Sequence, residues 1–395
     1  MHLFPELVKR PDETFTTGVF PVQAIREIIE SKRIFSDSDI TELQLQPASI
    51  DLRLGTVAYR VQASFLPGQN STVERKIQEL KMAEIDLRGP TIFEKGCVYI
   101  VPLMESLDLP QNVSAKANPR STTGRLDIFT RLITDYGIEF EYVPAGYKGK
   151  LFVEIVSRTF TVILQSGMRL NQLRFVRGNP SSSDAKLNEL DEEETLIFLD
   201  EERPGKALIH NGLRISVDLE GDGTSPVVAF KAKRNAPIVD LNKVDYHRPE
   251  QYWDIVHAPA SGAIILDPGD FYILGSKEKL RVPPEFAAEM VAFDPAMGEF
   301  RIHYAGFFDP GFGYGTSDIK GTQAVLEVRA HEVPFLIEDS QVVGRLVYVR
   351  MLNRPDKIYG ADIGSSYQRQ ALTLSKQFQK LPIEGVSQRK KAANA

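Results

Sequence analysis

The chain has 395 residues, 42% of them hydrophobic and 25% charged, a composition that supplies a sizeable core to each of two domains. Its formal net charge of −6 excludes a basic surface covering the molecule, so no nucleic-acid partner is expected, while a local basic pocket for one anionic ligand stays open. Cys97 is the only cysteine, which excludes an intramolecular disulfide and fits a cytoplasmic location; with no apolar run of roughly eighteen residues and no basic-then-apolar leader, neither a membrane span nor a signal peptide is expected.

Taken in chain order, residues 21–32 carry apolar positions at helical spacing behind Pro21, which predicts a short N-terminal helix. From Pro47 the pattern changes. Short apolar runs at 151–156, 161–164 and 173–176 alternate with Gly, Pro and Asn turns, as in an antiparallel β-barrel or sandwich. Residues 178–184 and the acidic clusters at 191–194 and 200–205 predict a solvated linker, a metal site being the second reading of those acids. Apolar runs resume at 323–329, 334–337 and 346–349, and the basic end at 389–395 is expected to fray. The boundaries that follow are an N-terminal domain at 1–178, an acidic linker at 179–210, a second domain at 211–352 and a C-terminal tail at 353–395.

Residues 92–99 with Leu109-Pro110 recur as 265–272 with Val282-Pro283, each 173 positions on. The same offset joins Val153-Glu154 to Leu326-Glu327 and Leu173 to Leu346. Ile50-Asp51-Leu52 is echoed by Val217-Asp218-Leu219, and residues 57–60 by 228–231. One spacing shared by several motifs predicts two copies of one folding unit.

Three patterns are candidates for chemistry. Residues 118–125 place Arg120 and Arg125 five apart, with Ser121, Thr122, Thr123 and Gly124 between them. Guanidinium forks, hydroxyls and backbone N–H groups together suit phosphate oxygens; a polar surface turn is the plainer reading. Glu154 and Glu327 each interrupt an apolar strand. A desolvated carboxyl there is raised toward neutrality and suits a general base, whereas on a solvent face it is innocuous. Recurrence at the shared offset favours function. Residues 305–312, Ala-Gly-Phe-Phe-Asp-Pro-Gly-Phe, either present a flat slot with the Asp309 carboxylate beside it or form a tight turn with core aromatics.

Residues 46–55, 120–125, 146–154 and 167–173 resemble the ordered motifs of the dCTP deaminase/dUTPase family, and more specifically its dCTP deaminase branch in the long, tandem form. The resemblance spans roughly residues 20 to 380. It implies an all-β chain with a few short helices, built as two tandem dUTPase-like distorted β-barrels. The implied reaction is hydrolytic deamination of dCTP to dUTP and ammonia, with Mg²⁺ bound through the substrate triphosphate and a glutamate, not zinc, activating the water. It also implies a catalytic set of Glu327, Glu154, Ser121 and Arg125. Substrate contacts are implied from Arg120, Ser121, Thr122, Thr123, Gly124, Arg125, Ala305, Asp309, Tyr359 and Gln370, with no metal held by the protein. A homo-oligomer is expected, the number of chains left open.

Two departures matter. The first copy has Pro144 where the family carries its nucleoside-contacting aspartate, and the second reads Phe-Asp-Pro-Ala-Met-Gly at 293–298 where the arginine loop belongs. Each copy lacks half a site, which predicts a composite one: Arg120, Ser121 and Arg125 from the first, Asp309 and Glu327 from the second. In the tail, Ser366 replaces the lysine usual there. A zinc deaminase is excluded, because one cysteine cannot supply its ligand set and none of the six histidines, His303 included, begins H-x-E. A dUTP diphosphatase or a bifunctional enzyme on the same scaffold stays open, although the tail lacks a glycine run. So does an inactive nucleotide-binding regulator, against which the complementary losses argue.

Overall fold

Alternating burial sets the strands. Along Val98–Asp108 buried and half-buried residues alternate from Leu103 onward, the mark of a strand with one face in a core. The structure, a computed structural model, describes residues 15–200, 203–221, 226–291, 306–314, 319–330, 332–360 and 372–381, and the backbone of 300–303. The chain is mostly strand with a few short helices, in curled and largely antiparallel sheets that give a β-barrel-like fold, as the sequence predicts. No helix of the described residues is long and apolar enough to cross a membrane.

In the first half, Lys148–Ser157 lies between Ile128–Thr134 and Val98–Asp108, so that Glu154 is flanked by Arg131 and Ile100. In the second half, Thr322–Ala330 lies between Phe300–His303 and Phe271–Leu280, and Glu327 is flanked by His303 and Ile273. Ile273 stands to Ile100 as Glu327 stands to Glu154, at an equal offset. Smaller details recur as well. Glu94 N donates to the Tyr99 hydroxyl and Asp267 N to the Tyr272 hydroxyl, both at 3.1 Å, while Arg60 pairs with Glu94 and Lys231 with Asp267.

One echo in the sequence is displaced. Ile50 pairs with Leu173 and Arg53 with Arg169; Leu213 pairs with Leu346 and Ser216 with Val342. Leu213, not Val217, therefore occupies the place of Ile50. Strand alternation has a period of two, so a slip of four residues leaves every apolar side chain on its original face. Only pairing decides, and two acids 173 residues apart agree: Glu105 accepts from Arg53 N at 2.8 Å, and Glu278 from Ser216 N at 2.9 Å.

The expected N-terminal helix is present as Val22–Glu30, with Val22 and Ile25 on its buried face. Part of the stretch expected to be a linker is ordered and docked. Residues Asp184–Glu194 form a helix capped by the Ser183 side chain, its Leu187 and Leu190 are buried in the second core, and Ile197–Phe198 pairs with Phe271–Leu280. Two leucines three apart among the acids give that helix one apolar stripe, enough to dock it. The first core in turn recruits residues from far along the chain. Trp253 lies edge-on to Phe160 at 5.5 Å and to Phe378 at 5.8 Å, so the halves and the tail segment share one hydrophobic cluster.

Candidate active site

The loop after Val113–Pro119 is built by local chemistry. Pro119 ends the strand, Arg120 is extended, and Ser121–Gly124 make one helical turn closed by Gly124 N and Thr123 N on Arg120 O and by Arg125 N on Ser121 O. Leu126, fully buried, anchors the far side. This turn leaves Ser121 exposed and Thr122 half-buried, but Thr123 points inward and donates its hydroxyl to Leu170 O at 3.0 Å. Thr123 is thus engaged in holding the loop down, as is the Thr122 carbonyl, which accepts from Ser375 Oγ at 2.8 Å. Arg125 is almost buried and donates to the carbonyl and hydroxyl oxygens of Thr373, at 3.2 and 3.1 Å.

Arg120 reaches Asp51, with Nη1 2.9 Å from Oδ2, and Arg169 approaches the same oxygen at 3.6 Å. Asp51 is fully buried, and burial pushes its carboxyl up to about 6 despite both arginines. Sequence reading placed Asp51 inside a family motif without giving it a role. Lys376, from the tail, is held below the usual lysine range by burial and then by the neighbouring charges of Arg120 and Arg169. The concentration of cations around one acid is a tertiary feature that no spacing encodes.

The second half brings its own parts to this place. Asp309 follows Phe307–Phe308 and accepts from Arg174 Nη2 at 3.2 Å, while Arg174 also donates to Ala288 O and lies over the Phe307 ring. Burial raises the Asp309 carboxyl, opposed by Arg174 and Arg120. Asp309 and Arg120, from different halves, are therefore electrostatic neighbours. The turn is tight: Gly311 has φ +90°, Phe312 N donates to Asp309 O, and Tyr359 N donates to Pro310 O at 2.8 Å. Phe308, Phe312 and Tyr359 form an aromatic group, with ring centroids 4.9 and 5.4 Å apart along it. In the first half the register puts Val143 opposite Ala115, as Phe308 stands opposite Ala288, so Pro144 occupies the position of Asp309.

The two glutamates part company here. Glu154 has no exposed surface and its Oε1 is held by the Nε of Arg131 at 2.9 Å and by Nη2; that guanidinium also lies 4.1 Å over the Phe140 ring. Glu327 is pushed up to about 8 by burial, and the charge of Arg125 pulls it back only in part. The charge of Arg125, in the first half, thus acts on Glu327, in the second. Of the other predicted residues, Ala305, Gln370 and the loop at 293–298 lie outside the described residues.

Sequence reading missed Arg174 and the ion pair of Asp127 with Arg329, which also joins the halves. For Arg174 and Arg329 a charged residue inside an apolar strand was the available signal, the same one that drew attention to Glu154; Asp127 lies in the loop before a strand and gave none. Among the described residues no group of three or more His, Cys, Asp or Glu is arranged to hold a metal.

The family described as 2'-deoxycytidine 5'-triphosphate deaminase, N-terminal domain, matches residues 16–179, and its C-terminal domain matches 183–378. A dUMP-forming dCTP deaminase of Persephonella marina is 31% identical over 156 residues, 39% of this chain and 80% of that protein. A dCTP deaminase of Natronomonas pharaonis is 28% identical over 152 residues, 38% of this chain and 75% of that protein. The solved 2'-deoxycytidine 5'-triphosphate deaminase from Agrobacterium tumefaciens superposes with a TM-score of 0.81 at 47% identity, covering 87% of this chain and all of that one.

Proposed function

The chain belongs to the 2'-deoxycytidine 5'-triphosphate deaminase family, and from that premise we propose that it hydrolyses dCTP to dUTP and ammonia at one composite site per chain. The observation that supports this reading is the Arg174–Asp309 ion pair across the junction of the halves, beside which the charge of Arg120 acts on Asp309 and that of Arg125 on the raised Glu327. We infer that the halves are copies of one dUTPase-like barrel unit. The first ends near residue 178, and the second includes the helix Asp184–Glu194, so the connector is shorter than 179–210.

In this reading the triphosphate lies against Arg120 and the exposed Ser121 and Thr122, with Arg169 and Lys376 close by, and brings Mg²⁺ with it. Guanidinium groups bind phosphate oxygens in pairs, and the low-dielectric surroundings strengthen that attraction. The cytosine lies by the Phe308, Phe312 and Tyr359 rings, with Asp309 oriented by Arg174 toward the nucleoside. Glu327 in its ionised form takes one proton from a water molecule as the oxygen bonds to C4. Arg125, with Ser121, steadies the developing charge. The C4–N bond then breaks, the protonated Glu327 returns its proton to the departing nitrogen and ammonia leaves, while the second water proton, left on the C4 oxygen, passes to N3 to give the uracil of dUTP. A carboxyl near 8 suits both halves of this exchange, since it accepts and releases a proton close to neutral pH.

Incubation with dCTP and Mg²⁺, with ammonia and pyrophosphate assayed separately, tests the proposal. Ammonia without pyrophosphate is the expected result, and no ammonia overturns it. A second reading, deamination followed by cleavage to dUMP, is favoured by the dUMP-forming names of several relatives, and release of both products selects it.

A further inference from the structure

One buried ion pair between the halves has no part in the chemistry above. Asp127 closes the arginine loop two residues after Arg125, and Arg329 lies two residues after Glu327. Residues two apart in a strand share a face, so Arg329 projects from Thr322–Ala330 on the same side as Glu327. Its Nη2 donates to Asp127 Oδ2 and, at 2.9 Å, to Thr159 Oγ1, while Nη1 donates to Gly269 O. Thr159 Oγ1 donates in turn to Asp127 Oδ2 at 2.5 Å. Asp127 is 0% exposed and Arg329 8%.

Asp127 also has φ +55°, a conformation that costs energy for a residue with a side chain. It is held there from several directions. Its N–H donates to Gly124 O, and its carbonyl accepts from Arg158 N at 3.0 Å. A buried ion pair adds little net stability against a well-packed apolar pair of the same size, because desolvation offsets the attraction. What it supplies is a fixed geometry. On the loop side it is tied to Arg125 through two peptide units, and on the strand side to Glu327 through two more. Around Glu327, Ile273 flanks one edge of the strand, the backbone of His303 the other, and Arg125 is the charged group that acts on it.

We propose that Asp127 and Arg329 are positioning residues, a buried link between the halves that sets the Arg125 guanidinium against the Glu327 carboxyl. This rests on the reading of Glu327 and Arg125 as the working pair. Neither Asp127 nor Arg329 touches substrate in this arrangement. Misplacement by about 1 Å at a reacting centre can cost on the order of 10²-fold in rate.

The test is the Asp127→Asn variant of the full chain with dCTP and Mg²⁺. We expect kcat for ammonia release to fall about tenfold or more with KM for dCTP changed less than about threefold, because the lesion misaligns rather than unbinds. The acid limb of the pH profile should move upward, since a displaced Arg125 no longer stabilises the Glu327 carboxylate. Deleting a negative charge near a carboxyl would by itself move that limb downward, so the direction separates repositioning from simple electrostatics. The titration of Glu327 in the empty protein, followed by ¹³C NMR, reads the same displacement without turnover. It should begin near 8 in the wild type and rise in the variant. Arg329→Lys keeps the charge but not the fork, and gives the same readings if Asp127→Asn does not fold. Lys116→Ala breaks a different contact between the halves, with Glu289, and should leave kcat and the limb unchanged. Wild-type kcat with an unmoved or lowered Glu327 titration in both Asp127→Asn and Arg329→Lys overturns the proposal. Absence of ammonia from the wild type itself would sink the activity reading, while the NMR titration would still judge the link.

Discussion

Glu154 pairs with Ile100 and Glu327 with Ile273, both 173 residues on, yet the charges acting on the two carboxyls differ. Arg131 stands beside Glu154 and pairs with it; at Glu327 burial pushes the carboxyl up to about 8, and the charge of Arg125 opposes this only in part. Glu327→Gln should lower the deamination rate about 10² to 10⁴-fold, as for loss of a general base. It should also stabilise the protein at alkaline pH. Glu327 loses its proton near 8 in the folded chain and near 4.5 in the unfolded one. Between these values the folded state binds more protons, so wild-type stability declines as pH rises and the loss is complete above about 8. Melting temperatures of wild type and Glu327→Gln should coincide near pH 4 and separate by pH 9, the variant being higher. Glu154→Gln should behave in the opposite way. It unpairs Arg131 at a cost on the order of 2 kcal/mol, read by denaturant unfolding, and leaves the rate within about threefold.

At the scale of elements, the site depends on two short turns held from outside. The loop at 120–125 is fastened by Leu170, Thr373 and Ser375, so its exposed hydroxyls belong to a rigid frame. The turn after Phe307–Phe308 is fastened by the tail through Tyr359. Gly311 has φ +90°, and a Cβ there would lie 2.9 Å from Ile358 Cβ and 3.1 Å from Tyr359 N. Gly311→Ala should therefore displace Tyr359 and raise KM for dCTP about three- to tenfold, at a stability cost on the order of 1–2 kcal/mol. Steady-state kinetics with dCTP checks the first effect and thermal unfolding the second. An unchanged KM would show that Tyr359 does not contact the nucleotide.

For the whole molecule, the shared cluster around Trp253, Phe160 and Phe378 makes the halves one cooperative body. Ion pairs between the halves, Arg174 with Asp309 and Arg329 with Asp127, reinforce it. Calorimetry should accordingly show one unfolding transition rather than two. Residues 16–179 expressed alone should be poorly soluble, because Phe160 and Val162 would lose the cover that Trp253 and Val239 provide. Two separate transitions would mean that the halves fold as independent domains.

Much of this was legible in the chain itself. The all-β character and the N-terminal helix follow from apolar periodicity, a local property, and a fixed spacing drew attention to Glu154 and Glu327 together; the barrel rather than a sandwich came from the family resemblance. Alternation could not place Leu213 rather than Val217 opposite Leu346, since both lie on one face. Nor could composition reveal that an acidic connector carries a leucine stripe that docks. Which glutamate is neutralised by an arginine, which acid is ringed by cations, and which residues tie the halves together depend on contacts between strands far apart in sequence. Charge and burial at one point in space are sums over such neighbours, so only the tertiary structure could decide them.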